Sequence, residues 1–530
     1  MKVTIIGLDG MTWRILKPLL DQGVMPNVKR YFITGGSFGF LESVVPPLTS
    51  PAWTSIFTGV NPGKHGAFNF FKVKYDYSTK ILSSYDVKYP RIHQMLTQLG
   101  YRSIVINVPH SVPFVMLNGY GISDWLSGEL RTYPSHLAQE IEYIVPTPPK
   151  SLLKDSLKGV AELKEQLELR IHTIKKLLSR QSWDGAFIVF SEPDFLFHGL
   201  FDKIIYGRNE KLLDSIYDIF SEIDRVIGFI AGKNEDGVNA VVSDHGFTIC
   251  NKSLDMTSTL SRLKVINFKK AGIEERLDAF SKQAYHKGII RAVKIPSLLY
   301  EIVSNVKKKS LFSQLFSISM TMLKRTLGFL PIAEYGKCVD YCNSFVIPYA
   351  PNGVALLLYM NTKGKFLCGR LDDQNTMKIQ KFLVYFLRNL RDRKGNRLFQ
   401  LVDTPENIYQ GPYVNQAPSV IAIPNLDVGY YVSLSHNSSQ TIFTHDLKGV
   451  AMFHGDNIKK GYYFGTISVY DIVPTLLYLT GLPLPEFSDG KILYKIIDSK
   501  YIKILIKDYL SKYKLALTMR KFRSRHNTQM

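Results

Sequence analysis

The stretch VVSDHGFTIC (241–250) runs two β-branched residues into an acid, an imidazole and a glycine. A buried strand ending in Asp244 and His245 carries polar groups that cost free energy to bury without partners. A bound metal ion is one arrangement that offsets this cost. The pattern recurs upstream: IIGLDG (5–10) sets Asp9 after an apolar run, and IVFSEPD (188–194) sets Asp194 just past another. Strand-like VTIIG (3–7), SIVINV (103–108), GAFIVF (185–190) and NAVVSD (239–244) alternate with amphipathic RIHQMLTQLG (91–100) and LLDSIYDIFSEIDRVIGFI (212–230). Continuous apolar strands separated by helices predict an α/β fold with a mainly parallel sheet flanked by helices. In such sheets ligands bind beyond the carboxyl ends of the strands, where these three aspartates fall.

The chain has 530 residues, 45% of them hydrophobic and 21% charged, ordinary for a large globular protein of more than one unit. The net charge of +21 is not ordinary, and it favours anionic partners. Cys250, Cys338, Cys342 and Cys368 form no CxxC pair. Cys338 and Cys342 read as an ordinary buried pair, and nothing suggests a disulfide scaffold. The opening MKVTIIGLDG reads as a strand and not as a signal peptide. The longest charge-free run in the middle of the chain, SLFSQLFSISMTML (310–323), is too short to span a bilayer. The expectation is a soluble cytoplasmic protein.

The α/β rhythm divides the chain into a first core part at 1–252, a helical, lysine-rich insertion or cap at 253–345, and a second core part at 346–490. GVALLLYMN (353–361), KIQKFLVYFLRNLRD (378–392), GVAMF (449–453) and SVYDIVPTLLYLTG (468–481) carry that second part. A basic tail, 491–530, places Ile502, Leu505, Ile506, Tyr509, Leu510 and Tyr513 at amphipathic helical spacing. This helix is expected to dock on its own protein or to fray at the end, with weak contact to an anionic membrane surface the alternative.

Four patches carry chemistry. GLDG holds Asp9 between glycines that let a ligand approach the backbone. SEPDFLFHGL (191–200) spaces Asp194 and His198 four apart, on one helix face. SDHG supplies Asp244 and His245, and FTHDLKGVAMFHGDN (443–457) offers His445 and His454. Mixed aspartate and histidine ligands suit zinc, with manganese and iron as alternatives, and their number fits two divalent ions better than one. PPLTSPAWTSIFTGVNPGKHGAFNF (46–70) places Thr49 where a helix begins, with proline in its first turn. A hydroxyl there, beside a dication and free N–H groups, is a candidate nucleophile, although the same residue could serve as a helix cap.

This ordered set of motifs resembles the alkaline phosphatase superfamily, and within it the type I phosphodiesterase/nucleotide pyrophosphatase branch. NTKGK, NIYQGPY and APSVIAI also look like the later core of its microbial relatives. The resemblance implies an alkaline phosphatase-like fold. It implies that Asp9, Thr49, Asp244 and His245 hold one metal, and that Asp194, His198 and a late histidine hold the other. By position that histidine is His445, with His454 after the final strand and His436 a distant third. Asn69 falls near the asparagine that binds a phosphoryl oxygen, while Lys64 and His65 support the turn. The implied activity is hydrolysis of phosphoric ester or pyrophosphate bonds in a small phosphorylated substrate, through a phosphothreonine at Thr49. A phosphotransferase or mutase, or a phosphomonoesterase, is the alternative within the superfamily. A metal-free protein binding anionic lipid or nucleic acid is the alternative outside it. Sequence-specific recognition of nucleic acid is not expected.

Overall fold

The computed structural model describes residues 2–180, 182–207, 209–270, 337–434, 440–498 and 506–526. Its centre is a nine-stranded sheet. From one edge the strands are Tyr462–Ser468, Ser37–Glu42, Lys448–His454, Val238–Val242, Val3–Leu8, Gly185–Phe190, Ser103–Ile106, Gly119–Ile122 and Thr132–Tyr133. Only Lys448–His454 and Thr132–Tyr133 run against the rest, so the sheet is mainly parallel, as the apolar runs predict. Alternate side chains feed two cores. Ile6, Leu8, Ile188 and Val241 pack on one face, with helices Ser156–Arg180 and Glu210–Lys233. Val3, Ile5, Val189 and Val242 pack on the other, with helices Thr49–Thr58 and Ile472–Leu479. Both faces are covered, which is why the central strands contain so few polar residues.

GVALLLYMN does not extend this sheet. Leu356–Met360 lies in a separate four-stranded sheet, ordered Val346–Tyr349, Leu356–Met360, Val420–Pro424, Phe399–Asp403, with every neighbour antiparallel. One face packs on helices Asp373–Asn389 and Met256–Arg262 through Leu383, Leu387 and Leu260. The other packs against Leu48, Phe68 and Phe70, on either side of helix Thr49–Thr58.

Most of the segment at 253–345, including SLFSQLFSISMTML, lies outside the described residues. Its described ends include helix Met256–Arg262 and the pairing of Phe268–Lys270 with Lys337–Val339. Among the described residues no helix is long and apolar enough to cross a membrane.

Two local expectations are corrected. Cys342 is not paired with Cys338 but disulfide-bonded to Cys368, 26 residues on, because the loop after Leu356–Met360 folds back over Tyr341. The tail helix starts at Leu510, since Ile506–Lys507 pairs as a short strand with Leu484–Pro485. Tyr509 and Tyr513 are fully buried, the latter beside Val115.

Candidate metal centre

The three strand-end aspartates meet. Asp9 follows Val3–Leu8, and its N–H donates to the Phe190 carbonyl of the neighbouring strand. Asp244 lies just beyond Val238–Val242 and accepts from the Gly10 N–H at 3.2 Å. Asp194 lies in the first turn of helix Glu192–Tyr206, which starts after Gly185–Phe190. A buried ion pair between Arg170 and Glu192 anchors that helix start. Four residues on, His198 points to the same place, its Nε2 3.5 Å from Asp194 Oδ1.

The register of one long-range antiparallel pair brings in the fourth patch. Gly246–Cys250 pairs antiparallel with Ile442–Asp446, and Phe247 lies opposite His445. The rings of His245 and His445 consequently stack at 3.6 Å. His445 Nε2 then stands 3.2 Å from His198 Nε2 and 3.6 Å from Asp194 Oδ1. His454 instead faces the Gly35 carbonyl and packs on Tyr31 and Phe32, away from this cluster. His436 lies outside the described residues.

Backbone carbonyls set the tautomers. Nδ1 of His445 meets the Pro47 carbonyl at 2.9 Å, and Nδ1 of His245 meets the Gly246 carbonyl at 3.0 Å. A carbonyl only accepts, so each Nδ1 carries the proton and each Nε2 keeps its lone pair for the cluster. His245 Nε2 lies 3.2 Å from Asp244 and 3.7 Å from Asp9. The Thr49 hydroxyl donates to the same nitrogen at 3.2 Å. Thr49 occupies the first position of helix Thr49–Thr58, whose ring of Trp53 rests on Gly7 of the central strand.

The electrostatics show what is lacking from such a set of side chains. Burial, then the charges of Asp244 and Asp194, pushes the Asp9 carboxyl well above its ordinary range. Burial raises Asp194, and it carries Asp244 up to about 8. Burial also drives His245 down to about 3 and holds His445 well below an ordinary imidazole. Asp9 Oδ1, Asp194 Oδ1 and Asp244 Oδ2 are buried with no hydrogen-bond partner. Three unpartnered carboxylate oxygens facing imidazole lone pairs form a cage of donors that a divalent cation fits. Ligand atoms of Asp194, His198 and His445 lie within 4.8 Å of one another, and so do those of Asp9, Asp194 and His245. The cluster is buried except at His198, whose side chain is 35% exposed and marks the solvent side.

Asn69 is wholly buried. Its Oδ1 accepts from the Phe70 N–H at 2.8 Å, and its Nδ2 has no partner. Its carbonyl accepts from the Ser50 hydroxyl at 2.9 Å, which ties it to the residue after Thr49. His65 contacts the Ser55 hydroxyl and the Ala67 N–H, and Lys64 pairs with Asp489, so both brace this turn.

Two further residues escape sequence reasoning. His110 Nε2 lies 2.5 Å from the Ser50 hydroxyl, behind the start of the helix. The amide of Asn352 lies 3.3 Å from His445 Nε2. Asn352 has a left-handed backbone, φ 48°, in the turn Pro351–Gly353. An asparagine-glycine pair after proline signals such a turn, but not what the turn approaches.

A mainly parallel sheet flanked by helices, with a carboxylate and imidazole cage at its strand ends, matches the alkaline phosphatase-like fold. Residues 3–310 match the family described as type I phosphodiesterase / nucleotide pyrophosphatase, and the chain belongs to that family. Its members hydrolyse phosphoric ester or pyrophosphate bonds and depend on metal ions. No curated protein sequence matches the chain. Among solved structures it is similar to phosphonoacetate hydrolase from Sinorhizobium meliloti 1021 with phosphonoformate. The identity is 12%, the coverage 98% of this chain and 95% of that one, and the TM-score 0.52. It is also similar to human ectonucleotide pyrophosphatase / phosphodiesterase 5, with 12% identity, 94% and 100% coverage and TM-score 0.51. An inactive threonine-to-alanine variant of the murine protein in complex with AMP aligns with the same identity, coverage and score. At this identity the likeness shows the shared fold.

Proposed function

We propose that the chain hydrolyses phosphodiester or pyrophosphate bonds with Thr49 as nucleophile, at a site for two divalent ions, zinc by preference for this ligand set. The observation that carries this reading is the position of the Thr49 hydroxyl. It lies at a helix start, 3.2 Å from His245 Nε2, beside two ligand groups that share Asp194. In this reading Asp194, His198 and His445 hold one ion, and Asp9, Asp244, His245 and Thr49 hold the other. Bound there, the ions would neutralise phosphoryl charge and favour the ionised forms of the hydroxyl and the departing oxygen. The remaining work belongs to the chain. Thr49 Oγ1 attacks phosphorus in line, and the leaving oxygen departs with its bonding pair, giving a phosphothreonine that water then cleaves. The unpartnered Nδ2 of Asn69 is suited to donate to a non-bridging oxygen, and the helix N-terminus favours the same negative charge. The inactive threonine-to-alanine variant of the murine structural neighbour supports the choice of nucleophile.

The test compares wild type with Thr49→Ala and Thr49→Ser on a chromogenic phosphodiester, after reloading with zinc or manganese. Thr49→Ala should lose at least ~10³-fold in kcat with nearly full metal content, and Thr49→Ser should retain a measurable fraction. Equal turnover by Thr49→Ala and wild type would remove Thr49 from the chemistry.

A further inference from the structure

A cleft of about 630 Å³ lies between the hairpin that follows Asn69 and the antiparallel sheet. Its walls carry aromatic rings, with Phe68 and Phe71 on one side and Tyr359 and Phe366 on the other. Three lysines line it, Lys72, Lys74 and Lys365, and two of them donate to adjoining residues. Lys72 donates to the Gln416 side-chain carbonyl at 3.1 Å, and Lys365 donates to the main-chain carbonyl of Asn415, also at 3.1 Å. Those acceptors are consecutive in sequence, so the ammonium groups are neighbours. Both acceptors are neutral, and neither lysine forms an ion pair among the described residues. Lys365 is exposed as a residue, yet desolvation by its surroundings and then the charge of Lys72 lower its pKa. Two like charges on a neutral ledge repel, and among the described residues no carboxylate pairs with either.

The cleft is also held in shape. The ring of Tyr77, at the turn of the hairpin, stacks between Tyr341 at 5.0 Å and Phe366 at 5.4 Å. Its hydroxyl donates to Asn361 at 3.0 Å and accepts from the Cys368 N–H at 3.1 Å. The Cys342–Cys368 disulfide closes the same loop. A rigid recess with paired cations spends little free energy on ordering when it takes up an anion.

Its position relates it to the metal centre. Phe68 precedes Asn69 and Phe71 lies two residues after it, and the Asn69 carbonyl accepts from the Ser50 hydroxyl next to Thr49. Lys72 is three residues beyond Asn69, a span of at most roughly 10 Å of extended chain.

We propose that this cleft receives the departing half of the substrate, and that this half carries a negative charge of its own, a carboxylate or a further phosphate, which Lys72 and Lys365 bind. The inference rests on the hydrolase reading above and narrows it to esters or anhydrides with an anionic leaving group.

Two chromogenic substrates decide it: the methyl phosphodiester of para-nitrophenol, and the same diester carrying a carboxylate on the nitrophenyl ring. The wild type should favour the charged substrate in kcat/KM. The Lys72→Ala/Lys365→Ala variant should lose that preference by about ten-fold, chiefly through KM, while the Lys72→Arg/Lys365→Arg variant keeps most of it. A second arm needs no turnover. The free carboxylated nitrophenol, titrated into Thr49→Ala protein, should bind in a salt-sensitive way, and the added double alanine substitution should abolish this. A preference unaltered by removing both lysines, or binding that survives their removal, overturns the proposal. Full activity of Thr49→Ala would remove Thr49 from the chemistry, and no hydrolysis of either diester by the metal-loaded wild type would sink the hydrolase reading; in both cases the binding arm would still judge the cleft.

Discussion

Asp244→Asn offers a direct measure of how far the cluster depends on a cation. In the metal-free protein the folded state holds this carboxyl at about 8, against an ordinary 3.8. A carboxyl raised on folding binds its proton more tightly in the native state than in the unfolded chain. Its penalty is therefore absent below the unfolded pKa and grows as pH rises towards the folded one. A gap of about four pKa units, at about 1.4 kcal/mol each, sets the ceiling near 6 kcal/mol at pH 8 and above. Asparagine removes the charge and keeps the shape. Its Oδ1 still accepts from the Gly10 N–H, and its Nδ2 replaces the oxygen 3.2 Å from His245 Nε2, where it donates. Asp9 and Asp194 remain, so a gain of about 2 kcal/mol or more at pH 8 is expected, not the full ceiling. Chelator-treated wild type and variant would be compared by denaturant unfolding at pH 8 and near pH 4. The variant should be more stable at pH 8 and indistinguishable near pH 4. With zinc restored the order should reverse, because the wild type alone gains the full ligand set. A metal-free variant no more stable than wild type at pH 8 would refute the account of Asp244 as a buried charge awaiting a cation.

His445→Gln should cost the protein bound metal and at least ~10²-fold in turnover, whereas His454→Gln should keep both; metal analysis by mass spectrometry beside the kinetic assay reads this out. Gly7→Ala should place a Cβ 2.3 Å from the Trp53 ring. The helix bearing Thr49 must then shift from the strand bearing Asp9, which should cost about 1–3 kcal/mol in unfolding experiments and lower kcat more than KM.

Much of the centre is legible in the sequence because short-range rules position it. Asp9, Asp194 and Asp244 each close an apolar strand, and the four-residue spacing to His198 follows from a helix. His445 is different. Its arrival depends on the pairing of Phe247 with His445 across nearly two hundred residues, and only the family resemblance separates it from His454. Asn352 could not be read at all, since its approach to His445 follows from a left-handed turn in another sheet. That sheet was itself concealed. Leu356–Met360 and Val420–Pro424 are buried on both faces, so they show none of the alternation that usually marks antiparallel strands and mimic parallel ones. Cys342 and Cys368 lie too far apart to give a spacing signal, and the lysine cleft needs Lys72 and Lys365 to meet from separate elements.

Strand Lys448–His454 lies inside the nine-stranded sheet, between Ser37–Glu42 and Val238–Val242. During synthesis the ribosome delivers Ser37–Glu42 about four hundred residues, and Val238–Val242 about two hundred residues, before the strand that joins them. Until then Ser37–Glu42 has neither of its sheet partners, since Tyr462–Ser468 comes later still, and the nascent sheet has an open slot. His445 emerges immediately ahead of that strand, so the last histidine of the cage and the keystone of the sheet arrive together. A fragment stopping near residue 250 would therefore lack His445 and leave a gap at the centre of its own fold.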